Sequence, residues 1–426
     1  MKIAMFTNTY LPHVGGVARS VKTLEDGCRA RGHRVKVIAP DFDGAEKSPD
    51  VLRVPAIQHF NGSDFCVRLP VPNIIRDFTE EFKPDIIHSH HPFLLGDAAL
   101  REARKLHVPI LFTHHTLYER YTHYMPLDSP ALKRVAIQMA TEYCNLCDLV
   151  IAPSASVAKL LHERGVDVAV EVTPTGIDTG AFARGDGKSF RELHGIAAGA
   201  KVIGHVGRLA AEKNLPYLAE ATAAALDADD NLVFLLVGEG ESVPGMLEIL
   251  ARHEGRVIHP GKLTGTDLAD AYAAIDCFAF ASQTETQGLV LAEAMAAGKP
   301  VVALDGPGVR EIVVDGINGI LLAGNAPAAE FTAALLRLVR DPDFSAACSV
   351  AAREAAADYE TDRCVERMLE NYQNALDRGR REPEEDNSAW DRLLGGMEIE
   401  WSLLAAKMAA AAAAVIETPA TEAGFD

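Results

Sequence analysis

Short apolar runs alternate with longer amphipathic stretches along the first 150 residues. Lys2–Thr7 predicts a strand, a turn follows at Gly15-Gly16, and Ala18–Arg31 reads as a helix ended by Gly32. Arg34–Ala39, Pro84–Ser89, Ile110–His114 and Leu149–Ala152 predict further strands, with helical patterns at Gly96–Leu106 and Ala131–Asp148. The pattern then restarts. Lys201–Val206, Asn231–Val237, Arg256–His259, Cys277–Ala281 and Pro300–Ala303 read as strands. Asn214–Leu226, Val243–Glu254, Thr266–Ala274 and Leu289–Ala297 read as the helices between them. Strand–helix alternation at this spacing implies parallel sheets covered on both faces, and a restart implies a second domain.

This organisation predicts an N-terminal Rossmann-like domain over 1–175 and a second over 176–350, with a turn-rich hinge at Pro174–Asp178. A continuous amphipathic helix, Ala351–Asp377, is expected to fill a crossover segment over 351–380. The tail, 381–426, begins with a charge cluster and continues into an alanine-rich stretch, Ala405–Ala414. It is expected to be poorly ordered or a loosely docked helix.

A chain of 426 residues exceeds one ordinary core and suits two. The formal charge of −19 is uneven: residues 1–170 hold 20 basic and 19 acidic side chains, leaving 21 and 41 for the remainder. Nucleic acid is therefore not an expected partner. The seven cysteines are dispersed, so no disulfide framework is expected, and the single Cys144-x-x-Cys147 lacks a second pair for zinc. The first residues read as a strand, with no apolar signal region, and no apolar run is long enough to span a bilayer. The expected location is the cytoplasm. Peripheral contact with the inner face of the cell membrane is suggested by Phe65–Arg76, which mixes apolar residues with two arginines and reads equally as a strand and helix start packed in the core.

Three features carry chemistry. In an open parallel sheet, ligands bind beyond the carboxyl ends of the strands. The loop after the first strand holds Gly15-Gly16 at a helix start, where backbone N–H groups can approach an anion. The matching turn of the second half holds Arg208 and Lys213, two cations able to neutralise a diphosphate. The third is Glu285 through Glu293, two carboxylates separated by seven residues, the first in a Gly288-containing loop and the second inside the next helix. Such a pair can hold the hydroxyls of a sugar and a ribose. The plainer readings are a tight turn, a solvated charged loop and two unrelated surface glutamates.

Together the Gly-Gly loop, the R-x4-K and E-x7-E elements and the segment Asp305–Val313 through Gly316 and Gly319 resemble glycosyltransferase family 4 over about residues 1–375. Lys83–His90, Pro92–Gly96, Thr113–Tyr124 and Glu285–Gly288 look like the members that glucosylate diacylglycerol. The resemblance implies an α/β chain of GT-B architecture. Two Rossmann-like domains would face a central cleft, with a C-terminal helix returning toward the N-terminal domain. It implies a retaining hexosyltransferase that takes a nucleotide sugar, UDP-glucose first, to a lipid or glycan acceptor such as diacylglycerol, an inositol lipid or a polysaccharide precursor.

By position, Gly15 and Gly16 would meet the diphosphate, and Arg208 and Lys213 would stabilise it as a leaving group. Glu293 would hold the ribose, while Glu285, Thr286, Gln287, Gly288 and Leu289 would hold the sugar, and Leu263 would lie near the base. His115 would approach the transferred sugar, with its neighbour His114 as the alternative. Tyr118, Tyr121 and His123 would lie on the acceptor side. With cations serving the leaving group, no metal or other cofactor is expected; Asp41-Phe42-Asp43 lacks the context of a metal-binding Asp-x-Asp. A sugar-nucleotide epimerase and a non-catalytic sugar-nucleotide-binding module share this cleft. A dinucleotide-dependent oxidoreductase has only Gly238-Glu239-Gly240 in its favour, without a third glycine.

Overall fold

A computed structural model describes residues 1–13, 15–57, 67–68, 72–120 and 130–379. Its strands are β1 (Lys2–Phe6), β2 (Arg34–Pro40), β3 (Val51–Val54), β4 (Ala56–Ile57), β5 (Val67–Arg68), β6 (Ile86–Ser89), β7 (Ile110–Thr113), β8 (Leu149–Ala152) and β9 (Val170–Val172) in the first half. The second half has β10 (Lys201–Val206), β11 (Leu232–Val237), β12 (Val257–Gly261), β13 (Cys277–Phe280), β14 (Val301–Leu304) and β15 (Gly319–Leu322). Among the described residues these form a seven-stranded sheet, β3-β2-β1-β6-β7-β8-β9, a six-stranded sheet, β12-β11-β10-β13-β14-β15, and the small β4-β5 hairpin. Every pairing within the two large sheets is parallel. In the order of its own strands the second sheet runs 3-2-1-4-5-6, the doubly wound order of dinucleotide-binding domains.

The central strands β6, β7, β8, β13 and β14 are buried on both faces, which is why β7, β8, β13 and β14 read as short, largely apolar runs rather than alternating ones. Each sheet is covered by apolar clusters on its two sides. In the two large sheets, three strands were not legible in the sequence: β3, β9 and β15. They are three or four residues long and lie at sheet edges, where partial exposure removes the apolar signal. The expected helix Val243–Glu254 is shorter. It ends at Ile249 and passes into a 3-10 turn, Ala251–Arg256, with non-helical backbone at His253.

The expected continuous helix Ala351–Asp377 is corrected by the structure. A helix Pro342–Ala356 ends in a 3-10 turn, Ala357–Tyr359, and a new helix, Thr361–Arg378, starts after extended Glu360. The break has a tertiary cause. The Ile177 N–H donates to the Tyr359 carbonyl at 2.8 Å, and the Thr361 N–H donates to the Ile177 carbonyl at 3.1 Å. The two segments that cross between the halves thus pair with each other. A Cβ at Gly176 would lie 2.5 Å from the Thr361 Cα, so this crossing needs glycine.

After the break, Thr361–Arg378 lies against the helix Gly16–Ala30 and returns to the N-terminal half. Val365, Met368, Tyr372 and Ala375 join the cluster behind the first sheet, and Tyr372 is fully buried. The Asn371 amide donates to the Thr173 hydroxyl at 2.8 Å. Residues 381–426, the expected tail, lie outside the described residues. Of Phe65–Arg76, the described part is β5 and the start of the helix Pro72–Phe82, where Ile75 packs in the core and Ile74 is exposed. Among the described residues, no helix is long and apolar enough to cross a membrane.

Candidate active site

In each sheet the chain reverses direction of growth once, between β1 and β6 and between β10 and β13. Loops leaving such a switch point diverge and open a crevice. The loops after β1, β6 and β7 belong to the first sheet, and those after β10 and β13 to the second. They carry nearly all the predicted site residues.

In the second half, Lys213 ends the loop after β10 and Glu285 lies in the loop after β13. The Lys213 Nζ lies 2.5 Å from Glu285 Oε1, and the Ser282 hydroxyl donates to the same oxygen at 2.7 Å. Burial pushes the Glu285 carboxyl up, but the Lys213 ammonium and the bonds from Lys213 and Ser282 more than offset it and hold the group below the usual carboxylate value. His205 on β10 lies beside this pair. Its Nδ1 is 2.9 Å from the Ala279 carbonyl, its Nε2 has no partner among the described residues, and burial lowers its pKa to about 4.

The Glu285 loop turns into its helix at Gly288, whose φ of +71° favours glycine. Gly308, also at φ +71°, sits directly above it: a Cβ there would lie 2.6 Å from the Gln287 backbone nitrogen. Gly308→Ala is therefore expected to displace the Glu285–Gln287 loop. Titration with nucleotide sugar should show weakened binding, whereas a distant surface Gly→Ala should not.

The following helix, Leu289–Ala296, carries Glu293, 1% exposed. One carboxylate oxygen accepts from the Tyr272 hydroxyl at 2.8 Å, and the other is ion-paired with Arg19 of the N-terminal half. Further bonds join the halves here. The Thr286 hydroxyl donates to the His115 carbonyl at 2.8 Å, and the Gln287 side chain bonds both the N–H and the carbonyl of Thr175 at 2.8 Å. The Ser156 N–H donates to Glu311 at 2.6 Å. The two predicted glutamates thus face the crevice between the halves.

On the N-terminal side, Gly15 caps the helix Gly16–Ala30 with extended backbone, and among the described residues no side chain caps that helix end. A Cβ on Gly16 would meet no atom of the described residues within 4 Å. The two candidate histidines differ. His114 is fully buried against Phe112 and Tyr118, and neither ring nitrogen has a partner among the described residues. His115 is only partly buried, lies at the crevice, and its Nε2 is 3.0 Å from His90 Nδ1. The His90 ring lies tilted against that of His88 with centroids 4.1 Å apart, and His88 Nδ1 lies 2.7 Å from the Tyr372 hydroxyl. A chain of imidazoles therefore runs from the crevice to the returning C-terminal helix. Burial, reinforced by the neighbouring histidines, holds His90 and His115 well below the ordinary histidine value, so both are neutral at neutral pH.

Other predicted residues are placed less centrally. Arg208 is 45% exposed and ion-paired with Glu212 on its own loop, not with Glu285. Leu263 is partly buried at the edge of the apolar cluster beside β11 and β13. Leu289 begins the Glu293 helix. The Tyr118 ring packs on Phe93 and His114, and its hydroxyl is buried with no partner among the described residues. Tyr121 and His123 lie outside the described residues. Among the described residues, no group of three or more His, Cys, Asp or Glu side chains is arranged to hold a metal ion. Sequence reasoning missed Arg19, Tyr272, Ser282 and His90. Arg19 alone had a readable signal, its place in the first turn after Gly15-Gly16.

The sequence model of Glycosyltransferase Family 4 matches residues 14–181, and that of Glycosyl transferases group 1 matches residues 200–341. The alpha-monoglucosyldiacylglycerol synthase of Streptococcus pneumoniae is 31% identical over 354 residues, which cover 81% of this chain and 80% of that protein. The chain belongs to glycosyltransferase family 4. It is also similar to the GDP-mannose-dependent alpha-mannosyltransferase of Corynebacterium glutamicum, 28% identical over 394 residues that cover 90% of this chain and 91% of that protein. The Anabaena protein HepE, solved in complex with UDP-glucose, shares the fold of this glycosyltransferase. Its TM-score is 0.70 at 21% identity, covering 88% of this chain and all of that one.

Proposed function

We propose that this glycosyltransferase moves a hexose, glucose from UDP-glucose foremost, to the hydroxyl of a lipid acceptor such as diacylglycerol, with retention at the anomeric carbon. The observation that carries the reading is the Lys213–Glu285–Ser282 constellation at the switch point of a doubly wound sheet, in the half whose Glu293 is ion-paired with Arg19 in the first turn of the helix that begins at Gly15-Gly16. Lys213 and Arg208 supply positive charge for the diphosphate as the bond from phosphate oxygen to anomeric carbon breaks. The helix amides add to them, and the free space over Gly16 admits the phosphate. Glu285 holds sugar hydroxyls, Glu293 the ribose, and neutral His115 hydrogen-bonds the transferred sugar. The acceptor oxygen forms the new bond to the anomeric carbon, and its proton passes to the leaving phosphate.

The relative that makes monoglucosyldiacylglycerol supports glucose and a lipid; the mannosyltransferase relative supports a second reading, a GDP-mannose donor. The test incubates the protein with radiolabelled UDP-glucose or GDP-mannose and diacylglycerol vesicles, then separates lipids from water-soluble products. Label in a glycolipid from UDP-glucose is expected, and it should persist in excess chelator because protein cations serve the leaving group. Label confined to water-soluble product overturns the lipid acceptor. Transfer from GDP-mannose alone overturns the donor.

A further inference from the structure

We propose that Arg19 is a latch that couples the two halves of the donor: it closes the empty crevice on Glu293 and passes to the diphosphate when ribose hydroxyls take that carboxylate. This rests on the reading of Glu293 as the ribose-binding residue.

Both oxygens of the carboxylate have partners within the protein. Its two oxygens are taken by Tyr272 and Arg19, 274 residues away in sequence. A carboxylate oxygen can accept more than one hydrogen bond, but Glu293 is 1% exposed, so a ribose diol reaches it only by displacing one of these partners. Tyr272 is fully buried and wedged edge-on against Phe182, so it stays. The Arg19 side chain is 41% exposed and has solvent to move into, so Arg19 yields.

Where it goes follows from helix geometry. Arg19 is the fourth residue of Gly16–Ala30, and its N–H donates to the Gly15 carbonyl at 3.0 Å. Side chains on a helix lean toward its N-terminus. A released Arg19 guanidinium therefore hangs over the Gly15-Gly16 end, where an anion is favoured. The Glu293 carboxylate raises the Arg19 pKa while the two are paired, and a guanidinium is charged at any working pH, so the cation is retained throughout.

The exchange has a consequence for selectivity. A nucleoside without phosphate offers Glu293 a diol but gives Arg19 nothing in return. A diphosphate without ribose offers Arg19 a partner but strands the Glu293 charge in a buried site, which is costly. Only a ligand carrying both groups satisfies both residues. Arg19 is thus a positioning and selectivity residue for intact donor, and it re-forms the ion pair as the nucleotide product leaves.

The test titrates wild type, Arg19→Met and Arg19→Lys with uridine and UDP, and with guanosine and GDP, by calorimetry and by ligand-observed NMR for weak binding. Thermal unfolding checks the fold of each variant. Arg19→Met is expected to bind the nucleoside about threefold more tightly, since Glu293 is released, and the diphosphate about tenfold more weakly, since one charge-assisted contact is lost. Arg19→Lys should fall between wild type and Arg19→Met for the diphosphate. An equal change for nucleoside and diphosphate, or no nucleoside binding by Arg19→Met, overturns the latch. Glu293→Gln in parallel should weaken both ligands. If it weakens neither, the ribose assignment fails and the latch with it; if it weakens both while Arg19→Met shifts them equally, the latch alone fails.

Discussion

Lys213→Ala is expected to lower kcat by about 10²–10³-fold, because it removes a fixed cation from the place where charge develops on the leaving phosphate. The same substitution leaves Glu285 without its ammonium partner at a site where the two side chains are only 18% and 14% exposed. Stability should fall by about 2 kcal/mol, between the values for exposed and fully buried pairs. The pH dependence separates the two effects. In the wild type the Glu285 carboxyl lies below its unfolded value. Its contribution is therefore present above the unfolded value and lost as pH falls through the folded one. Without Lys213 burial dominates and the sign reverses: the neutral acid is favoured, and stability drops as pH rises through its new, raised value. A Lys213→Ala, Glu285→Gln double variant should regain the lost stability but not the turnover. Near-normal kcat in Lys213→Ala would remove Lys213 from the leaving-group site.

Mild acid is expected to unfold the protein well above the carboxylate range. His88, His91, His114 and His205 are buried, and burial lowers them to about 3, 3, 4 and 4; His90 and His115 are held well below the ordinary histidine value by burial and by neighbouring histidines. All six stay neutral in the fold but take up protons in the unfolded chain below its histidine value near ~6.5. The unfolded state then binds more protons, so stability rises with pH through that value and is lost as pH falls below it. Each such group costs about 1.4 kcal/mol per pH unit. One unit below the unfolded value, six groups cost about 8 kcal/mol, comparable to the whole stability of a typical domain. Circular dichroism against pH should show unfolding starting near ~5.5. Five of the six lie in the first half, so its signals should go first; a fold intact to pH ~4 would show that the histidines are not held neutral. Activity above pH ~6 should lack a histidine limb, because His115 is already neutral.

The chain's own order of residues determined the two parallel sheets, since apolar runs such as Leu149–Ala152 and Cys277–Phe280 are strands buried on both faces. It also determined the crevice-facing loops, because Gly15-Gly16, Lys213, Glu285 and Gly288 follow strands at the switch points. These are local signals, carried by a few neighbouring residues and by the strand–helix rhythm. Only the tertiary structure decided the rest. His114 and His115 are adjacent and chemically identical in the sequence; the first turns into the core behind β7, and the second toward the crevice. The break at Ala357–Tyr359 lies in a stretch of good helix formers and exists because Glu360 pairs with Ile177 across the hinge. Arg19 meets Glu293 only because the two halves close on each other, whereas Tyr272 meets it through the packing of two helices within the second half. Contacts between residues hundreds of positions apart leave no periodicity to read, since they depend on how whole domains pack and not on what any short segment prefers.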